Sequence, residues 1–217
     1  MKAAFALLAL LTCAVADDAT APRMILKKEF PGSKPPYMEI RLSRDGQVEY
    51  LEQADDDQPV KFKLGPNETE TLFLLSDKLD HFARPLESGL KVARVGDKTF
   101  TWIKGDERHE VKFNYTLDAD GQTLLDWFER MCESAYYKLD LERAVRFDRI
   151  GVNQALLKLE AAWDRKRLVA VEQYLPLLDR VAKNESYLNM ARERAEKLAA
   201  IFRTPAAPQA AAGEAKP

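Results

Sequence analysis

Apolar and polar positions alternate along the first part of the chain and fall at three- and four-residue spacing along the rest. Between Arg23 and about Tyr115 the period is two. Met38, Ile40 and Leu42 alternate with Glu39 and Arg41, Val48 and Tyr50 flank Glu49, and Val60, Phe62 and Leu64 alternate with Lys61 and Lys63. Such runs predict strands with one packed face and one wet face. Arg44-Asp45-Gly46 reads as a three-residue loop with Gly46 left-handed, because that register sets Leu42 opposite Val48 and Ile40 opposite Tyr50. A two-residue loop would set Leu42 against the charged Glu49. A second hairpin pairs the strand of Phe100 and Trp102 with that of Val111, Phe113 and Tyr115, turning through Lys104-Gly105-Asp106-Glu107.

Each hairpin has an apolar face that needs cover, and helical spacing supplies it. Between the hairpins, Asn67 to Phe82 carries Leu72, Leu75, Leu79 and Phe82, with Glu68 and Glu70 at the end where a helix dipole favours acids. After the second hairpin, Leu124, Phe128 and Met131 form another stripe just beyond Asp118-Ala119-Asp120-Gly121. The expected class is α+β, an antiparallel sheet of hairpins covered by helices, over residues 17–137.

From about Lys138 the pattern is helical throughout, and residues 138–203 are expected to be an all-helical region. Val152, Leu156, Leu159 and Trp163 make one stripe, and Val171, Leu175, Leu178 and Val181 a second. A third runs through Leu188, Ala191, Ala195, Leu198 and Phe202. Gly151 and Asn184 are natural breaks, and Pro176 must start, kink or end a helix. The Ala- and Pro-rich tail, residues 204–217, has too little apolar surface to order itself and is expected to be disordered.

The first sixteen residues read as an address. Lys2, the apolar run Ala3 to Leu11, and Ala14-Val15-Ala16 before Asp17-Asp18 have the basic, apolar and small-residue order of a signal peptide cleaved after Ala16. A lipid anchor on Cys13 is the alternative, but Thr12 stands where a small residue normally precedes a lipidated cysteine. A secreted or periplasmic location follows, with no integral membrane segment after cleavage. Cleavage leaves Cys132 as the sole thiol, so no intrachain disulfide is possible and stability must come from a core. Cys132 lies four residues after Phe128 in a helical segment, which reads as a small buried side chain.

Composition narrows the function further. The 217 residues are 46% hydrophobic and 31% charged, with 33 basic against 35 acidic side chains, so the chain as a whole has no strong field to attract nucleic acid or anionic lipid.

The segment Pro31-Gly32-Ser33-Lys34-Pro35-Pro36-Tyr37, entering a strand that turns at Asp45-Gly46, resembles the opening hairpin of a bacterial exported domain family of unknown function. That family reads C-x-G-x-C-P-x-Y there, followed by strand, glycine turn, strand, helix and another hairpin. Gly32, Pro35 and Tyr37 match, whereas Phe30 and Lys34 occupy the two cysteine positions. Any disulfide, redox or metal role of those cysteines is therefore absent. The resemblance covers roughly residues 23–135 and implies an exported sheet-and-helix domain, with no catalytic residue to carry over.

Candidate chemistry is sparse, and no catalytic, cofactor-binding or metal-ligating set is assigned. Only His81 and His109 are available as imidazole ligands, without a recognisable zinc spacing. His109 falls opposite Trp102 in the second hairpin, and His81 follows Asp80 near a helix C-terminus, where the dipole favours it. A calcium loop with Gly121 at its sixth position would start at Thr116 and end at Trp127, failing at both ends, so an Asp cap on a helix is the reading for Asp118-Ala119-Asp120. Asp55-Asp56-Asp57 reads as a solvated turn. Arg143, Arg146 and Arg149, and Arg165-Lys166-Arg167, have their field diluted by Glu142, Asp148 and Asp164 and read as solvated helical faces, with phosphate or anionic envelope polymers as the alternative ligands. The seam of the last helix, Ser186 to Arg203, is a surface for intramolecular packing, a partner helix or a second copy.

Two functional expectations result. The leading one is an exported, non-catalytic interaction or envelope-associated module that contacts a protein partner or itself through the C-terminal helices. The alternative is an envelope hydrolase using carboxylates such as Asp80, Asp118 or Asp120, because carboxylate-only catalysis leaves little signature in sequence.

Overall fold

Six strands form one antiparallel sheet in the computed structural model, which describes residues 21–204. They are β1 (Arg23–Glu29), β2 (Tyr37–Ser43), β3 (Gln47–Leu51), β4 (Val60–Lys63), β5 (Asp97–Lys104) and β6 (Glu107–Phe113), in the spatial order β4-β3-β2-β1-β5-β6. The helices are α1 (Pro66–Lys78), α2 (Ala119–Phe147), α3 (Val152–Asp164), α4 (Leu175–Lys183) and α5 (Asn189–Arg203). The expected signal peptide, residues 1–16, and, apart from Thr204, the expected disordered tail, residues 204–217, lie outside the described residues. The class is α+β, with the later helices C-terminal, as the patterning predicts.

Hairpin registers follow the predicted loops. Leu42 faces Val48 and Ile40 faces Tyr50, around a turn in which Gly46 has φ +87°. Trp102 faces His109 across the second hairpin. The strand that alternation does not single out is β1, which holds the two hairpins together by pairing with β2 on one side and β5 on the other.

One sheet face carries the first core. Met24, Leu26, Ile40, Leu42, Phe100 and Trp102 are buried there against Leu72, Leu79, Leu124 and Phe128 of the helical layer. The opposite face is a mosaic of charge in which neighbours in register have opposite signs. Lys61 lies beside Glu49 at 2.8 Å, Glu49 lies across from Arg41, and Arg41 holds Glu39 at 2.6 Å. Opposite charges on adjacent strands stabilise the pairing locally.

The first helix departs from its expected end. The α-helix stops at Lys78, and Asp80, His81 and Phe82 follow in a tight turn with φ of 50°, 51° and 66°. Left-handed backbone costs each of these residues conformational energy. Burial of Leu79 and Phe82, whose ring meets Phe100 at 5.5 Å, offsets it.

A 29-residue helix, α2, joins the two halves of the molecule. Its N-terminal part packs Leu124, Phe128 and Met131 on the sheet, and its C-terminal part packs Leu141 and Val145 in a second core. That second core draws Leu156 and Leu159 from α3, Leu178 and Val181 from α4, and Ala191, Ala195, Leu198 and Phe202 from α5. Pro176 sits in the first turn of α4, where its missing N–H costs nothing, so it starts the helix. Asn184 caps the end of α4, and Gly151 precedes α3.

Between α3 and α4 the chain crosses back over α2. Ser134 accepts a hydrogen bond from the Val169 N–H at 2.9 Å, and the Tyr174 hydroxyl donates to the Ser134 carbonyl at 2.7 Å. Leu168 belongs to the second core and Val169 to the first, so this crossing stitches the two together.

Candidate functional site

The three carboxylates that an envelope hydrolase could use are each held by a basic side chain. Asp118 caps α2, accepting from the Gly121 N–H at 2.9 Å, and pairs with Arg84 at 2.6 Å. Asp80 lies 3.5 Å from the same guanidinium, and Asp120 lies 3.1 Å from Lys78. Partial burial pushes the Asp118 carboxyl up, but the Gly121 amide and Arg84 outweigh it and hold the group below the usual carboxylate range. A general acid in glycoside hydrolysis needs the opposite shift.

The helix cap explains Asp118-Ala119-Asp120 without a cation. Asp118→Ala is expected to cost about 1–2 kcal/mol at neutral pH, combining a lost cap with a lost ion pair. Because the folded pKa is depressed, this contribution is fully present above the unfolded value of about 3.9 and disappears as pH falls through the folded one. Urea melts of parent and variant from about pH 6 to about pH 3 should therefore converge at the acid end.

His81 and His109 take different places around Trp102. His81 stacks on the indole with ring centroids 4.2 Å apart and shares a 2.8 Å contact with Asp77 through Nε2. Phe73 meets the same indole edge-on at 5.8 Å. His109 faces Trp102 in register, with Nε2 3.7 Å from Glu107. The left-handed turn is what swings His81 over the sheet edge, an arrangement that helical periodicity does not foretell. Among the described residues, no group of three or more His, Cys, Asp or Glu side chains is placed to hold a metal ion. In the Asp55-Asp56-Asp57 turn, Asp56 accepts from the Gln58 N–H at 2.9 Å.

Two other sequence candidates have structural partners. Arg167, from the second basic cluster, bridges three carboxylates of α2, with Asp126 at 2.6 Å, Glu133 at 2.9 Å and Glu129 at 3.9 Å. Ala191, Ala195, Leu198 and Phe202 of the α5 seam are all buried within the chain. Those four positions are thus an internal packing surface, whereas Leu188 at the start of the seam is half exposed.

A further candidate site lies elsewhere, between the loop leading into β2 and the side of α2 that meets the sheet. It is a groove of about 370 Å³ lined by Lys28, Lys34, Pro35, Met38, Tyr50, Phe128, Glu129, Cys132, Glu133 and Tyr136. Strand alternation brings Met38 and Tyr50 to its floor, and the four-residue step from Phe128 to Cys132 adds the helical wall. Cys132 is buried, and burial pushes its thiol well above the usual range. A protonated thiol in this position packs as an apolar group and is a poor nucleophile.

The charges around the rim are unequal. Lys28 lies 3.6 Å from Glu129, and Glu133 is held by Arg167. Lys34 is exposed and has no ion pair among the described residues. The groove is therefore an apolar cleft with one spare positive charge at its mouth. No protein-family model and no curated protein matches this chain.

Proposed function

We propose that the chain is an exported, non-catalytic binding protein and that the groove beside α2 receives an amphiphilic anion. The supporting observation is the pairing of an apolar floor, in which the partly exposed Met38 lies over the buried Tyr50, Phe128 and Cys132, with the exposed Lys34 at its edge. Binding sites for small ligands typically combine a mostly apolar lining with a few placed polar groups. A ligand with a flat or branched apolar body and one carboxylate or sulfonate matches both features. The C-terminal helices act in this reading as the support that fixes α2, since their stripes pack inward.

1-Anilinonaphthalene-8-sulfonate is a suitable probe because it joins an aromatic body to a single negative charge. Titration of the full chain should give a saturable rise in fluorescence, and Lys34→Glu should weaken the binding by about tenfold. Unsaturable fluorescence, or equal affinity in Lys34→Glu, overturns the assignment. Export is tested separately by sequencing the N-terminus of the protein recovered outside the cytoplasm. A start at Asp17 is expected, and a chain that keeps Met1 inside the cell overturns it.

A further inference from the structure

We propose that the elbow between α2 and α3 is a contact site for an anionic lipid bilayer. Phe147 is 83% exposed and Ile150 81%, the two highest values among the exposed large apolar side chains of the described residues. Burying such side chains is worth far more than leaving them in water. They stand together at the tip of a turn, within a run from Arg146 to Ile150 in which every residue is exposed.

Their setting makes them a rigid projection. Directly beneath, Val145 and Val152 are buried in the second core, and the Tyr187 hydroxyl donates to the Val145 carbonyl at 3.1 Å. Asp148, itself exposed, accepts from the Gly151 N–H at 2.9 Å, closing the turn. The chain is thus held while Phe147 and Ile150 point away from the core that the rest of α2 and α3 build.

Charge identifies the occupant. Arg143, Arg146 and Arg149 are exposed, flank the two apolar side chains and have no ion pair among the described residues. Arg143 and Phe147 also line a groove of about 520 Å³ on the side of the elbow, together with Asp148 and with Lys158, whose charge is matched by Asp140 at 3.0 Å. Apolar wedges ringed by arginines suit the boundary between acyl chains and anionic headgroups, where each basic group adds to the attraction. Among the described residues no helix is long and apolar enough to cross a membrane, so the contact is peripheral. A second copy of the chain would bring like charges face to face at this tip, which disfavours self-association.

Co-sedimentation with vesicles tests the idea on the full chain. Vesicles of equimolar phosphatidylglycerol and phosphatidylcholine should retain it at least about tenfold more strongly than phosphatidylcholine alone. Phe147→Ser with Ile150→Ser, and separately Arg143→Gln with Arg146→Gln and Arg149→Gln, should each lower that retention by about tenfold, with circular dichroism and melting temperature unchanged. The apolar N-terminal run is common to all these proteins, so a local probe separates its contribution. The extra emission of Phe147→Trp, over that of the parent, should be quenched by vesicles carrying brominated phosphatidylglycerol. Undiminished retention of both variants, or an unquenched Trp at 147 on bound protein, overturns the proposal. So does self-association in sedimentation velocity that the Ser variant abolishes while leaving vesicle affinity intact.

Discussion

Phe128→Ala should lower the unfolding free energy by about 3–5 kcal/mol, the usual result of emptying a fully buried aromatic site. Phe128 has no exposed surface and lies where α2 meets the sheet, beneath the groove. The cost combines lost transfer energy with a cavity that neighbouring strands can close only partly. A second expectation concerns how the loss is distributed. The crossing through Val169 and Tyr174 ties both cores to Ser134, and α2 runs through each. Leu198→Ala, placed in the second core, should therefore move the same single unfolding transition as Phe128→Ala, by about 2–5 kcal/mol. Urea titration followed by tryptophan fluorescence and by far-ultraviolet circular dichroism checks this. The two probes should coincide in both variants, and separate transitions would show that the halves unfold independently.

Gly46→Ala should be the most damaging single methyl addition in the sheet, at about 3 kcal/mol. The residue has φ +87°, and a Cβ there would come 2.8 Å from Thr69 Oγ1 and 2.9 Å from the Leu64 carbonyl oxygen. Neither neighbour is free to retreat. Thr69 is buried in α1, and Leu64 donates its own N–H to the Gly46 carbonyl at 2.9 Å. The matched control is Gly105→Ala at the other hairpin, where φ is +56° and nothing lies within 4 Å of the added carbon. That change should cost only about 1 kcal/mol, the penalty of the left-handed backbone alone. Thermal melts of both variants measure the difference, and equal losses would show that crowding at Gly46 is absent.

Local rules made much of the fold readable, and their failures have physical causes. The registers around Gly46 and Gly105 were legible because a one-residue slip would turn an entire apolar face outward. β1 was obscured because Ile25, on the charged face, interrupts the alternation of Met24 and Leu26 with polar residues. The turn at Asp80–Phe82 was hidden for a different reason. Leu79 and Phe82 remain buried after the backbone reverses its handedness, so their spacing still reads as helix, and no glycine or proline marks the change. Cys132 was correctly legible as a buried thiol, and Asp118 as a cap. The groove was not legible, because Met38 and Tyr50 meet Phe128 and Cys132 only after two distant segments pack together. Likewise the three arginines could be seen in sequence, but the exposure of Phe147 and Ile150 between them depends on where the second core ends.

The position of β1 has a consequence for biosynthesis. It is the first of the six described strands to emerge from a ribosome, yet it lies in the middle of the sheet, between β2 and β5. Its partner on one side follows almost at once, whereas the other, Asp97–Lys104, is made only after α1 and the long connection beyond it. Throughout that interval a nascent chain displays the unpaired amides and carbonyls of β1 along one margin, an invitation to β-pairing with other nascent chains. A premature stop anywhere before Asp97 would make that margin permanent, so such fragments should accumulate as aggregates.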